Sequence, residues 1–201
     1  MATESTQSKA VLHRYLVRGR EALLWKVGGL SEYDARRPVV PTGTNLLGLV
    51  KHTALTEGEY LGSVFGRPLP GLDDVLGPDP APNDGMWATA EESIASIADL
   101  YTRVWAHSDA TIEALDLTDE GLVPWWQEDR RVVTLHTVLV HVIAETNRHA
   151  GHADILREII DGSVGLNPQF SNLPDVDAAW WSGYVQRLDA LAQQFAEPQE
   201  S

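Results

Sequence analysis

The sequence contains no cysteine. This absence excludes disulfides, thiolate metal sites and a cysteine nucleophile, so any metal in this protein must be bound by histidine and carboxylate side chains. The chain has seven histidines among its 201 residues. Their positions are therefore the first place to look for a metal site.

Clustered basic residues are also absent. The formal net charge is -14, and the adjacent basic pairs Arg36-Arg37 and Arg130-Arg131 are isolated from other basic residues. Phosphate contacts need clustered lysines and arginines. This composition argues against nucleic acid as a partner, and for the same reason against an anionic membrane surface.

No apolar run approaches the roughly 20 residues that cross a bilayer. The N-terminal segment from Met1 to Lys9 is polar and has no apolar centre, unlike a secretory signal peptide. We therefore expect a cytoplasmic protein. Its hydrophobic content of 43% and charged content of 22% suit a folded chain, and its length suits one well-buried domain over residues 1–201.

Helical periodicity dominates the chain, whereas strand patterns are nearly absent. Apolar side chains at three- and four-residue spacings predict long helices at about 8–27, 45–65, 89–112 and 134–161, and a further one at about 176–195. Residues Thr89 to Glu92 fit a capping box that opens the third of these helices. A proline-rich loop at about 66–88 precedes it. The prediction is an all-α fold, a four-helix bundle with an additional C-terminal helix.

The helix predicted at about 134–161 carries two ionisable residues on its apolar face. At about 100° per residue, Glu145 and His149 both fall within the face that Val138, Val142 and Leu156 define. At this i,i+4 spacing the Cβ atoms are about 5–6 Å apart, close enough for the side chains to share one ion. A divalent cation would remove the cost of burying the carboxylate. A Glu–His hydrogen bond without a metal explains the spacing equally well.

A third ligand could come from the helix predicted at about 45–65, where His52 flanks the inward stripe. Glu57 lies closer to the middle of that stripe and is an alternative ligand or a polar partner. Two histidines and one carboxylate form a three-ligand set that catalytic zinc sites use, and this set also suits iron(II). A single helical histidine is more often a surface or packing residue, so the spacing alone leaves His52 undecided.

Other side chains could surround such a site. Arg157 lies at the edge of the same helix face as Glu145 and could bind a carboxylate of a substrate or thiol cofactor, although a salt bridge with a neighbouring acid is the commoner arrangement. His141 and His152 could hydrogen-bond the ligands or simply face solvent.

Each of two tryptophan pairs could have either of two roles. Trp125 and Trp126 could wall the metal pocket or belong to the core, and Trp180 and Trp181 could pack the last helix or mediate a dimer.

Two segments of the chain are similar to the DinB-like superfamily. The stretch from Leu46 to His52 resembles its second helix, and the stretch from Thr134 to Glu158 resembles its fourth. The resemblance covers nearly the whole chain and implies a four-helix bundle of DinB-like topology in which three residues bind a divalent metal. Many relatives use three histidines. Glu145 stands where one of these would be, as in the branch that contains the N-terminal domain of mycothiol-dependent maleylpyruvate isomerase and the mycothiol S-transferases.

The resemblance implies His52, Glu145 and His149 as the metal ligands. Zn²⁺ is the expected ion, with Ni²⁺, Fe²⁺ and Mn²⁺ as alternatives. It also implies an S-transferase in which the metal activates mycothiol or a similar thiol for attack on an electrophile, and this chemistry suits a chain without cysteine. The expected partners are the thiol, the electrophile and a second copy of the chain. A metal-dependent hydrolase and a non-enzymatic, stress-associated metal-binding protein are the alternatives. No residue is assigned as a catalytic acid or base.

Overall fold

A computed structural model describes residues 2–196, and these form six α-helices and one small sheet. The helices are α1 (Ala2–Trp25), α2 (Glu32–Arg36), α3 (Leu46–Tyr60), α4 (Ile94–Ala114), α5 (Leu135–Asp161) and α6 (Ala178–Gln193). Strands β1 (Glu120–Leu122) and β2 (Val132–Thr134) pair antiparallel as a short hairpin. The predicted all-α class is confirmed, because this hairpin is the one exception within residues 2–196.

Helices α1, α3, α4 and α5 form the predicted four-helix bundle. α1 packs along α5, and α3 contacts both α4 and α5. Each helix buries apolar side chains in the interior, among them Leu23 of α1, Leu49 of α3, Val104 of α4 and Ala153 of α5. This burial drives the packing and places one face of α3 directly against one face of α5.

Helix ends follow local chemistry. The side chain of Asn45 caps α3 by accepting the Gly48 N–H at 2.8 Å. Gly162 ends α5 in the left-handed region, with φ 77°, as the sequence predicts. α1 begins well before residue 8, at Ala2, and ends at Trp25. α3 stops at Tyr60 rather than at residue 65, because the backbone turns at Gly62 into a separate 3-10 turn over Ser63–Phe65.

The predicted start of the third long helix is wrong. α4 begins at Ile94, and its capping box joins Ser93 to Ser96. Glu92 instead accepts hydrogen bonds from the Thr89 N–H at 2.7 Å and from the buried Lys51 ammonium at 2.8 Å. The contact with α3 therefore fixes Glu92 in the connection before α4.

The proline-rich connection between α3 and α4 is anchored to the bundle. Leu72 is buried and lies against Gly58 of α3, and two 3-10 turns follow at Asp73–Val75 and Asp84–Met86.

After α5, helix α6 lies within two residues of its predicted bounds at each end, and none of its side chains is buried. Trp180 stacks on Tyr184 of the same helix, with ring centroids 5.2 Å apart. The predicted dimer stays a prediction.

No helix within residues 2–196 combines the length and the apolar character that crossing a bilayer requires.

Candidate metal centre

Helices α3 and α5 run antiparallel along their shared face. The rings of His52 and His149 meet with centroids 4.9 Å apart, and the rings of Tyr60 and His141 meet with centroids 4.6 Å apart. On each helix the two residues are eight positions apart, about 12 Å along the axis. The face between them therefore has a histidine pair at one end and a tyrosine–histidine pair at the other, with Glu145 in between on α5.

His149 is the most buried of the three predicted ligands, with 9% of its surface exposed. Its Nε2 lies 3.7 Å from Oε2 of Glu145, one turn earlier on α5. Burial lowers the pKa of His149 to about 4; the neighbouring His52 acts in the same direction, and the Glu145 carboxylate opposes both. The imidazole is therefore neutral at neutral pH, the form that binds metal.

His52 is half-buried on α3, opposite His149. Burial lowers its pKa, and the negative charge of Glu145 opposes this shift. The Glu145 carboxylate is therefore close enough to act on both imidazoles. The structure thus brings together the three residues that the sequence predicts as ligands.

The chemistry of these three side chains fits a divalent metal. Nδ1 of His149 is buried and has no hydrogen-bond partner within residues 2–196, which leaves a polar nitrogen unsatisfied. However, the donor atoms of these side chains do not converge on one point. Across the same residues, no three or more His, Cys, Asp or Glu side chains are arranged to hold a metal ion. Binding would require rotation of these side chains, and the ligand set of His52, Glu145 and His149 stays a prediction.

Glu57, the alternative ligand, is fully buried and has a different partner. Arg20 of α1 donates to both of its carboxylate oxygens, at 2.7 and 3.1 Å. Burial raises the pKa of Glu57, and the Arg20 guanidinium opposes that shift. Glu57 is thus the polar partner that the sequence allowed, and its carboxylate links α3 to α1.

Arg157 forms a salt bridge with a neighbouring acid, the commoner of its two expected arrangements. Its guanidinium contacts the Asp161 carboxylate at 2.8 Å and donates to the carbonyls of Lys26 and Gly28, both at 2.9 Å. These bonds join α5 to the turn that follows α1. None of these contacts supports the predicted cofactor-binding role of Arg157, which stays a prediction.

His141 and His152, also on α5, differ in their surroundings. The ring of His152 is exposed and lies 5.7 Å from the ring of His149, centroid to centroid. His141 contacts Tyr60 and also Trp126, whose ring centroid lies 5.3 Å away. We call Tyr60, Trp125, Trp126 and His141 the aromatic cluster.

Apolar periodicity does not mark Tyr60 as a functional residue, because this residue fits the pattern of its helix. In the structure its hydroxyl accepts hydrogen bonds from the indole N–H groups of Trp125 and Trp126, at 3.2 and 2.9 Å. One sequence feature does point to Tyr60: it lies eight residues after His52, and His149 lies eight residues after His141. Antiparallel packing turns these equal spacings into two facing pairs.

The fold is similar to the crystal structure of a conserved protein from Enterococcus faecalis. The TM-score is 0.61 at 17% sequence identity, and the match covers 77% of this chain and 97% of that chain. At this identity the likeness shows the fold alone. No curated protein matches the sequence significantly.

A protein-family model described as mycothiol S-transferase matches residues 11–162. This range runs from within α1 to the glycine that ends α5, so it contains α3, α4 and the whole candidate metal centre. The chain belongs to the mycothiol S-transferase family, a DinB-like family.

Proposed function

We propose that the protein is a metal-dependent S-transferase that activates mycothiol, or a similar low-molecular-weight thiol, for attack on an electrophile. The observation that carries this proposal is the meeting of His52, Glu145 and His149 across α3 and α5, in a chain of the mycothiol S-transferase family. The chain has no cysteine, so the attacking sulfur would belong to the small thiol.

The three side chains would supply two kinds of ligand to the metal. His52 and His149 supply neutral imidazoles, and Glu145 supplies a carboxylate whose negative charge offsets part of the charge of a divalent ion. A bound Zn²⁺ would favour the deprotonated form of a thiol at neutral pH. Because only 9% of the His149 surface is exposed, the protein would shield that side of the centre from water.

The transfer itself makes one bond and breaks another. The thiol sulfur forms a bond to an electrophilic carbon, the leaving group departs with the electron pair of its former bond, and the thiol proton passes to bulk water. The protein contributes by holding sulfur and carbon together in a reactive orientation, which replaces a bimolecular encounter.

A rate assay with a matched histidine control tests this proposal. The zinc-loaded protein is incubated with mycothiol and chlorodinitrobenzene, and the thioether is followed by its absorbance. We expect His149→Ala to lower the rate about 10-fold or more. His136→Ala removes an exposed histidine from the first turn of the same helix and should leave the rate unchanged. Equal rates for these two variants would show the proposal to be wrong.

A further inference from the structure

The aromatic cluster is built around one hydroxyl group. Trp125 and Trp126 lie on the loop between β1 and β2, and the base of this loop closes through a 2.8 Å hydrogen bond from the Val123 N–H to the Arg131 carbonyl. Both indole N–H groups donate to the hydroxyl of Tyr60 on α3. These bonds fix the orientation of both rings and occupy both indole donors.

The two indoles form part of a cleft. Trp125, Trp126, Gln127 and Arg130 line a space of about 340 Å³, within the range of about 300–1,000 Å³ typical of small-molecule sites. Trp125 is 52% exposed although its N–H is already bonded. What remains open to a ligand is the carbon face of its ring, a surface suited to stacking against another planar ring.

The polar groups of the cleft indicate the charge of its ligand. Arg130 donates to the neutral side chain of Gln127 at 2.8 Å, and across residues 2–196 no carboxylate lies within ion-pair distance of it. Its neighbour Arg131 is paired with Glu128 at 3.1 Å. In a chain of net charge -14, the Arg130 guanidinium is thus a cation available to an anionic group.

The cleft adjoins one end of the α3–α5 face on which the predicted metal ligands lie. The ring of Trp126 contacts His141, which lies one turn before Glu145 on α5. Tyr60, which holds both indoles, lies about 12 Å along α3 from His52. At its contact with His141 the cleft is about 6 Å along α5 from Glu145. An electrophile anchored at the indoles would therefore extend along this face to meet a thiol sulfur held by the metal.

We propose that this cleft binds the electrophile, and that the electrophile is a planar aromatic compound with an anionic substituent. The ring stacks on Trp125 and the anion pairs with Arg130. A polyol fits the cleft less well, because both indole donors are already bonded to Tyr60 and the exposed ring face of Trp125 offers hydroxyl groups no strong hydrogen bond, which leaves only Gln127 and Arg130 to bind them. The assignment of this ligand as the electrophile rests on the proposed S-transferase function.

Ligand-observed NMR titrations on the protein without added thiol test the cleft independently of turnover. The probes are naphthoate, its neutral match naphthylmethanol, and inositol as a polyol. Trp125→Ala should weaken naphthoate binding about 3- to 10-fold, and Trp125→Phe should retain most of it. The matched control is Trp180→Ala, which removes a tryptophan of α6 that is 41% exposed. It should leave naphthoate binding unchanged. Arg130→Gln should weaken naphthoate and leave naphthylmethanol unchanged.

Three results would overturn the proposal: no binding of naphthoate, equal losses in Trp125→Ala and Trp180→Ala, or inositol binding that Trp125→Ala abolishes. The last result would assign the cleft to the polyol part of a thiol. Because the titrations need neither thiol nor turnover, an absent transferase rate would refute the proposed function and leave the binding result intact.

Discussion

The rings of His52 and His149 meet edge to face across the α3–α5 interface, with their planes at 83° and their centroids 4.9 Å apart. Burial is the main cause that lowers the pKa of each. Two protonated imidazoles at this distance would repel each other, whereas two neutral ones are compatible. Burial of both rings, and for His149 also the neighbouring His52, therefore favours the neutral state in which a histidine can bind a metal.

The buried ion pair between Arg20 and Glu57 should be essential for stability. Both side chains are at most 1% exposed. Glu57→Gln therefore leaves a buried guanidinium paired only with the partly exposed carboxylate of Asp109, which it contacts at 2.7 Å. We expect a loss of about 3 kcal/mol in the free energy of unfolding, measured by urea denaturation. Glu59→Gln alters an exposed carboxylate on the same helix and should stay within about 0.5 kcal/mol. A loss below about 1 kcal/mol in the Glu57 variant would contradict this role.

Two glycine substitutions should change stability in opposite directions. A Cβ at Gly48 would lie 1.8 Å from the Met86 carbonyl oxygen, so Gly48→Ala must push the proline-rich connection away from α3. We expect a loss of about 1–3 kcal/mol or more. A Cβ at Gly151 of α5 meets nothing within 4 Å, and Gly151→Ala should add about 0.5–1 kcal/mol through helix propensity. Thermal unfolding measures both. A melting temperature of Gly48→Ala that equals or exceeds that of wild type would show that the connection is not packed against α3 as described.

Asp161 should contribute stability that depends on pH. Its hydrogen bond from Arg157 is the main cause that lowers its pKa to about 2, with the Ser163 N–H as a further donor. A carboxylate whose pKa falls on folding stabilises the protein above the unfolded pKa of about 4, and this contribution is lost as the pH falls to about 2. The side chain is 34% exposed, so we expect only about 1 kcal/mol after solvent screening.

Unfolding of wild type and Asp161→Asn between pH 7 and pH 2 measures this contribution. The two proteins should differ by a constant amount at neutral pH and converge towards pH 2. A difference that grows on acidification would contradict the assignment.

The sequence predicts α5 almost to the residue because its limits are local. The side chain of Thr134 caps one end and Gly162 ends the other, and both effects depend on neighbours in the chain. The start of α4 could not be predicted in this way, because Glu92 is held by Lys51 of another helix. The strands of the hairpin are three residues each, too short for a period to be visible.

In the candidate site too, local sequence predicts some features, whereas others depend on how the helices pack. The pairing of Glu145 with His149 follows from helical spacing alone. The position of His52 beside His149 depends on how α3 packs against α5, and before the fold was known only the family resemblance pointed to it. The contact of Tyr60 with His141 and the two indoles depends on packing and on a loop conformation, neither of which apolar periodicity specifies.

Zinc titration by calorimetry tests the central claim most directly, namely that His52, Glu145 and His149 bind a divalent metal. Wild-type protein and the His136→Ala control should bind one Zn²⁺ per chain with equal affinity, whereas His52→Ala, Glu145→Gln and His149→Ala should each lower the affinity about 10-fold or more. No stoichiometric binding to wild type, or equal affinity for His149→Ala and His136→Ala, would contradict the claim.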